Sequence, residues 1–484
     1  MARRRRPLVT ALAAAAVFAW ALWLRTDGVS RDFWLMQDQV GDWQTVQGSF
    51  SSLPLTGPAK TGGGTHLGPF YYVWLWLARH ALSPWTGRLP HAMGIAGGIA
   101  DATAFALLVP AIESAGAPLL ASFAAVLLAS TVPYEAALAR AGWNPCFALA
   151  CLVLALDLLL LGRRRTGPML AAVVAALAWA AVASHLSAIV VALPILVGLV
   201  AAAARRGTRP AVRVAGTIAL VVVAMQVPWL LAQRGYGTRV WVPGEGTARS
   251  VDHGGTATRP DDAETAVTRT IDAIGAAPSR LLSTRGLSFV ALEAPALLLR
   301  SLWLPRAVST GLLAIAAALV AVGVARGRVE PLPAALALLP LVVAMLALNG
   351  FTGELPGYFA IPLLAPLALL AALAVASLSP RAATIAGGAL LVATLAGQPH
   401  RVEDRRWEHS WPWYGTIVRG SREVASRGVP VRAVEGPGGD ATTPAATALA
   451  RWLGAEVDPA APTVARIARD GSVSWIGPAR TSAE

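Results

Sequence analysis

Apolar runs with almost no charge, long enough to cross a bilayer, recur through this chain, and arginine clusters separate them. Eleven such runs can be read: Leu8–Leu24, then 92–112, 117–133, 144–161, 167–184, 186–204, 211–231, 307–325, 331–349, 359–378 and 382–397. A run of about 20 apolar residues matches a hydrocarbon core about 30 Å thick. In lipid a lone chain satisfies its backbone only as a helix. Only 14% of the residues are charged, against roughly 25% in soluble domains. A soluble enzyme, a disordered chain and a coiled coil are excluded. The fold class expected is an all-α polytopic membrane protein.

The formal charge is +13, and of the 40 cations only Lys60 is a lysine. The excess does not point to nucleic acid, because the arginines sit in short clusters between apolar runs, as positive-inside markers do. Arg3–Arg6 precede the first run and Arg25-Thr26-Asp27 follows it with no small-residue cleavage site. This reads as an uncleaved anchor with a cytoplasmic N-terminus. Residues 69–83 carry Arg79 and His80, and 287–304 carry Glu293 and Arg300. A charge at mid-membrane costs about 2.5–3.5 kcal/mol, so both segments are expected to lie at an interface. Eleven spans then put Arg163–Arg165, Arg205, Arg206, Arg209, Arg326, Arg328 and Arg381 on the cytoplasmic side with the N-terminal arginines.

The organisation expected is a membrane body over 1–397 with external loops 25–91 and 232–304, and an extracytoplasmic tail over 398–484. In the tail, VPVRAVEG reads as a strand and TPAATALARWLG as a helix. Trp407, Trp411, Trp413 and Tyr414 are placed as interfacial aromatics, as are Tyr71, Tyr72, Trp74 and Trp76. Cys146 and Cys151 share one apolar run and are read as small fillers. No internal repeat is visible.

Polar groups beside the membrane carry the chemistry. Asp38 and Asp42, in LMQDQVGDWQTV, are spaced i, i+4 and share one face of a helix. PLTGPAKTGGGTHLGPFYY places Lys60 and His66 about Gly62–Gly64, where backbone N–H groups can approach an anion. Arg140 and Asn144 lie in ARAGWNP, His185 in the turn SHLS, and Glu354 and Tyr358 in NGFTGELPGYF. All fall on the external side. An acid there can deprotonate an acceptor hydroxyl or amine, and cationic groups can hold a phosphate. The plainer alternatives are solvated loop acids for Asp38 and Asp42, a snorkelling arginine for Arg140, and structural or interfacial roles for His185 and Tyr358.

PLTGPAKTGGGTHLGPFYYVWL resembles the first-loop signature of the GT-C glycosyltransferase superfamily, on the branch of the protein mannosyltransferases and lipid A aminoarabinose transferases. QDQVGDW matches the position of that branch's acidic motif, and ARAGWNPCFAL its second external motif. SHLS resembles its short Q-x-H turn, and GYFAIPLLAPLALL a later helix that opens with Tyr. The resemblance implies a helical bundle and an inverting transfer of sugar from a polyprenyl-phosphate donor. The acceptor would be an envelope glycan, lipid or protein on the exoplasmic side of the cell membrane.

By the same resemblance Asp38 is the general base and Asp42 its support. Lys60, His66 and Arg140 contact the donor phosphate, and Asn144, His185 and Tyr358 line the cavity. The resemblance fixes no cofactor and leaves room for a divalent metal. Asn144 stands where many relatives carry an acid, so a divalent metal would have few acid ligands. The rivals are a transporter or flippase of lipid-linked glycans and an inactive envelope scaffold. A transporter is expected to place ionisable residues near the midplane, often with internal repeats. Here the ionisable groups are read at helix ends.

Overall fold

Each apolar run becomes helix in the structure, a computed structural model that describes residues 2–35, 37–58, 65–235, 289–299, 305–348, 357–399, 413–439 and 442–477. In chain order the helices are α1 (Ala2–Thr26), α2 (Val29–Asp32), α3 (Gln37–Thr45), α4 (Phe70–Ala81), α5 (Ser83–Thr86), α6 (His91–Ser114), α7 (Leu119–Ser130) and α8 (Pro133–Arg140). Then come α9 (Asn144–Gly162), α10 (Pro168–Ser184), α11 (Ile189–Ala204), α12 (Thr208–Gln233), α13 (Ala294–Leu299), α14 (Arg306–Ala325), α15 (Pro331–Leu348), α16 (Leu364–Ala376) and α17 (Pro380–Ala396). Prolines set several starts, at the first or second position of α8, α9, α10 and α17. A proline there loses no intrahelical bond, and its fixed φ suits the first turn.

Among the described residues, seven helical stretches are long and apolar enough to cross a membrane: Pro7–Asp32, His91–Ser114, Asn144–Arg165, Leu186–Ala204, Thr208–Gln233, Ala307–Ala325 and Tyr358–Ala376. The pair α7 and α8, bent by 57°, makes eight if it is one broken span. Three further apolar helices, Pro168–Ser184, Pro331–Ala347 and Pro380–Ala396, are shorter. The run 117–133 is therefore not one straight helix. It ends at Ser130 and resumes at Pro133 in a new direction.

The arginine clusters meet at one end of the bundle. Arg163 pairs with Glu330 and donates to the Ser114 carbonyl. Arg164 reaches Glu330, Arg206 donates to the Thr166 carbonyl at 2.7 Å, and Arg328 donates to the Ser377 carbonyl at 2.9 Å. Five inter-helix connections are thus tied together by cations, and the bonds from Arg163, then Arg164, hold Glu330 below the usual carboxylate range. Near this end α1 runs antiparallel to α6, with Thr10 bonded to Glu113.

At the opposite end sits a second hydrophobic core, separate from that of the bundle. Phe33, Leu35, Trp43, Tyr71, Tyr72, Leu75 and Met93, from the first loop and its flanks, share it with Tyr414, Ile417, Val424, Leu449 and Ile467 of the tail. The tail carries helices α18 (Tyr414–Arg427) and α19 (Thr443–Trp452) and strands β1 (Ala433–Glu435), β2 (Val464–Ile467) and β3 (Val473–Ile476). β1 pairs parallel with β2, and β2 antiparallel with β3. Strand and helix thus stand where VPVRAVEG and TPAATALARWLG place them.

Tyr414 is fully buried and bonded to His91 at 3.1 Å. It is a core residue rather than the interfacial aromatic the sequence suggests. Trp407 and Trp411 lie outside the described residues.

Candidate functional site

The site begins with α3. Its apolar residue Trp43 is buried in the second core, which fixes the helix rotation and turns Asp42 inward. Asp42 is buried, and it meets two phenols of α4: Tyr71 Oη lies 3.1 Å from Oδ2 and Tyr72 Oη 3.1 Å from Oδ1. Burial, then the nearby charge of Asp38, pushes the Asp42 carboxyl up to about 7 against the opposing phenol bonds. Burial, followed by the charge of Asp42, likewise raises Tyr71 and Tyr72 well above the usual phenol range. Both are neutral donors at any ordinary pH. Tyr71 and Tyr72 are therefore not part of an interfacial stripe. They face the acid because α4 buries Tyr71, Tyr72, Leu75 and Ala78 on one side.

Asp38 lies one turn before Asp42 and is exposed. Desolvation by its surroundings raises its carboxyl, and a hydrogen bond from the Trp143 side chain opposes the rise. The indole comes from the turn Ala141–Trp143 between α8 and α9, which is pressed onto α6. Gly142 has φ +66°, and a Cβ there would stand 2.4 Å from the Met93 Cβ. Gly94, facing it on α6, would put a Cβ 2.1 Å from the Arg140 carbonyl oxygen. Only glycine fits either position. The Gly142 carbonyl accepts from Tyr71 at 2.7 Å, which ties this turn to α4.

From Trp143 a chain of rings runs across the site. Trp143 meets Trp34 edge-on at 5.7 Å and Tyr358 at 5.8 Å. Tyr358 meets His185 at 5.5 Å, and His185 stacks on His66 at 5.8 Å. Such offset and edge contacts hold rings in fixed relation. His185 accepts or donates at Nδ1 to the Ser187 hydroxyl at 2.6 Å, and burial pushes it down to about 4, so its imidazole is neutral. Asn144 is committed, its amide donating to the Ser184 carbonyl at 2.7 Å. The loop that brings His66 in is closed by Gly57, which donates to the His66 carbonyl at 3.1 Å, while His66 N–H donates to the Pro58 carbonyl at 3.0 Å.

Six of the residues singled out in the sequence thus gather in one place: Asp38, Asp42, His66, Asn144, His185 and Tyr358. Arg140 points elsewhere. Its guanidinium is buried, paired with Asp32 and donating to the Asp27 carbonyl. It clamps the segment after α1. Lys60, Gly62–Gly64 and Glu354 lie outside the described residues. Trp143, Tyr71 and Tyr72 also belong to the site. Trp143 stands in the motif ARAGWNP beside Arg140 and Asn144, and the two tyrosines merge into an aromatic run that suits a membrane surface equally well.

A second polar cluster is sealed in the bundle. Arg25 of α1 pairs with Glu135 of α8 and lies 3.7 Å from Asp101 of α6; all three are buried. Arg25 also donates to the Ser130 carbonyl at 2.8 Å, a carbonyl freed by the break between α7 and α8. Ionisable groups therefore do not lie only at helix ends, as the sequence suggested. Asp157, within α9, is buried too.

Asp101, Glu135 and Cys146 have ligand atoms within 4.8 Å of one another, the one cluster among the described residues with the spacing to hold a metal ion. The Arg25 guanidinium already supplies the positive charge those carboxylates need. At Asp38 and Asp42 no third acid approaches among the described residues, since Asn144 spends its amide on Ser184. Neither place has the oxygen-rich set that a hard divalent cation takes.

Comparison with protein-family models and with curated proteins returns no match.

Proposed function

We propose that the chain is an integral-membrane glycosyltransferase of the GT-C type, moving a sugar from a polyprenyl-phosphate donor to an acceptor in the cell envelope. The observation that carries this reading is Asp38. It is an exposed carboxyl beside the Trp143 indole, one turn from the buried Asp42 and next to the chain of rings that ends at His185 and His66. In this reading the shorter apolar helices also cross, giving eleven spans. The arginine-tied end faces the cytoplasm, and Asp38 opens on the outer side of the cell membrane, where the tail also lies.

Asp38 takes the proton of the acceptor hydroxyl or amine as the acceptor attacks the anomeric carbon. The bond from that carbon to the phosphate oxygen breaks, and polyprenyl phosphate leaves. One bond forms on the face opposite the one that breaks, so configuration inverts. His66 and the loop holding Lys60 are the groups for the departing phosphate; the neutral His185 and Tyr358 line the sugar's side. Arg140, bound to Asp32, holds the first loop in place. No step needs a metal, and the described residues suit one poorly.

The test is transfer by purified protein in lipid, offered a panel of polyprenyl-phosphate sugars and envelope acceptors. Asp38→Asn should slow transfer by about 10²–10⁴, the usual worth of a general base, while donor binding is retained. Transfer undiminished in this variant would remove Asp38 from the mechanism. The sealed Arg25–Asp101–Glu135 cluster favours a second reading, a transporter of lipid-linked glycans, because intramembrane charges mark such pathways. Lipid-linked glycan flux that survives Asp38→Asn but fails in Asp101→Asn would support it.

A further inference from the structure

Tyr71 presents a proton-counting problem. Its hydroxyl stands 2.7 Å from the Gly142 carbonyl oxygen and 3.1 Å from Asp42 Oδ2, and the ring is fully buried. A phenol has one proton to give. A carbonyl oxygen can only accept, and so can an ionised carboxylate. With Asp42 ionised, one of these buried acceptors goes without a full bond, at a cost comparable to a lost hydrogen bond. With Asp42 protonated, every group is satisfied: Asp42 donates from Oδ2 to Tyr71 Oη, Tyr71 donates to Gly142, and Tyr72 donates to Oδ1.

We propose that Asp42 is the protonated member of the acid pair and acts as a pH-sensitive positioning residue, holding the Gly142–Trp143 turn, and through it Asp38, by a directed chain from Asp42 to Tyr71 to the Gly142 carbonyl. The catalytic part of this rests on the glycosyltransferase reading; the protonation does not. Among the described residues, the titratable groups acting on Asp42 are Asp38 from its own helix and Tyr71 and Tyr72 from α4. Loss of the Asp42 proton to solvent would leave two carboxylates one helical turn apart. Tyr71 would then turn its proton to Asp42 Oδ2 and release Gly142, loosening the turn that presents Trp143 to Asp38. Asp38 remains the ionised base, and its partner stays uncharged so as not to compete for the same proton.

The two carboxyls should therefore respond oppositely to the same substitution. Asn is isosteric with a protonated aspartic acid: its NH2 can donate to Tyr71 and its oxygen accept from Tyr72. Asp42→Asn should keep transfer within about threefold of wild type below neutral pH and lose the alkaline fall expected of wild type. Asp42→Ala, which breaks the chain, should lose more than about tenfold at every pH.

Infrared spectra of the full chain in lipid, with carbon-13 aspartate, test the protonation without any sugar. An aspartic-acid carbonyl band should vanish as pH rises through about 7 and should be missing from Asp42→Asn throughout. The other buried carboxyls contribute to both spectra alike. A band that never titrates in wild type overturns the proposal, and that measurement needs no variant to fold. Transfer lost in Asp42→Asn as fully as in Asp38→Asn also overturns it, because Asp42 would then work as an anion. If no variant and no wild type transfers sugar, the glycosyltransferase reading fails and the infrared result still decides the proton.

Discussion

Two pairs of carboxyls in this molecule solve one electrostatic problem in different ways. Asp101 and Glu135 are sealed in the helical body and meet an arginine. Asp38 and Asp42 lie at the end away from the arginine clusters, one exposed and one buried, and meet an indole and two phenols. An arginine neutralises one carboxylate permanently, because it does not deprotonate in proteins, and Arg25 is paired at contact distance with Glu135 and stands farther, 3.7 Å, from Asp101. Phenols and indoles donate without neutralising, so charge in the second pair is left to protons. The first arrangement suits a fixed joint. It binds α1, α6 and α8 together at the break that lets α8 turn toward the site. The second leaves a proton free to come and go, which acid–base chemistry requires.

The largest effect should come from removing the fixed charge. Arg25→Met strands the carboxylate that the arginine neutralises in an apolar interior, which costs about 3–5 kcal/mol when one partner of a buried pair is lost. The triple change Arg25→Met, Asp101→Asn, Glu135→Gln should recover most of that, because the penalty lies in the stranded charge and not in lost attraction. Unfolding of the protein in mixed micelles measures both. If Arg25→Met alone is as stable as wild type, the sealed carboxyls do not carry charge, and the contrast between the two pairs collapses.

A smaller, pH-dependent effect should come from Asp42. Its carboxyl rises from 3.8 to about 7 on folding. A raised acid favours the folded state fully below its unfolded value, and that contribution is lost as pH rises through the folded value. At about 1.4 kcal/mol per unit the loss is somewhat over 4 kcal/mol above neutrality. The stability of wild type should therefore fall between about pH 4 and pH 8 relative to Asp42→Asn, which has no proton to lose at that position. Parallel pH–stability curves for the two proteins would show that Asp42 does not change its charge on this scale.

How much of this was readable beforehand follows the same division. Apolar runs and arginine clusters report on a helix by itself, and each expected run is helical. Asp38 and Asp42 were legible because their i, i+4 spacing is local to one helix. His66, Asn144, His185 and Tyr358 stood out as polar groups at the ends of apolar runs. The sealed cluster was not legible. Arg25, Asp101 and Glu135 come from three helices, and each alone reads as a tolerated charge in or beside a run. Tyr71 and Tyr72 failed for a different reason. An aromatic helix with one apolar side suits a membrane surface as well as a protein core, and only the tail and the first loop folding onto it decide between them. The break at Thr131 and Val132 was hidden because Pro133 suits the first turn of a new helix as well as the end of an old one.

The finest test separates the two phenols. Tyr71 and Tyr72 are equally buried and equally distant from Asp42, yet their roles differ if Asp42 holds the proton. Toward the acid Tyr72 acts only as a donor, to its carbonyl oxygen, and that bond lowers the Asp42 carboxyl. Tyr72→Phe should therefore move the infrared midpoint of Asp42 upward and cost about 1 kcal/mol of stability, the net worth of one hydrogen bond. The Gly142–Trp143 turn should be untouched, so Trp143 fluorescence, read in a background where the other external tryptophans are replaced, should not change. Tyr71→Phe removes both an acceptor and a donor, frees the Gly142 carbonyl, and should alter that fluorescence. Equal spectral and titration effects from the two substitutions would mean that Asp42 receives protons from both phenols, as a carboxylate does. The pair at the open end would then be two anions held apart by donors, and the proton assigned to Asp42 would have to be withdrawn.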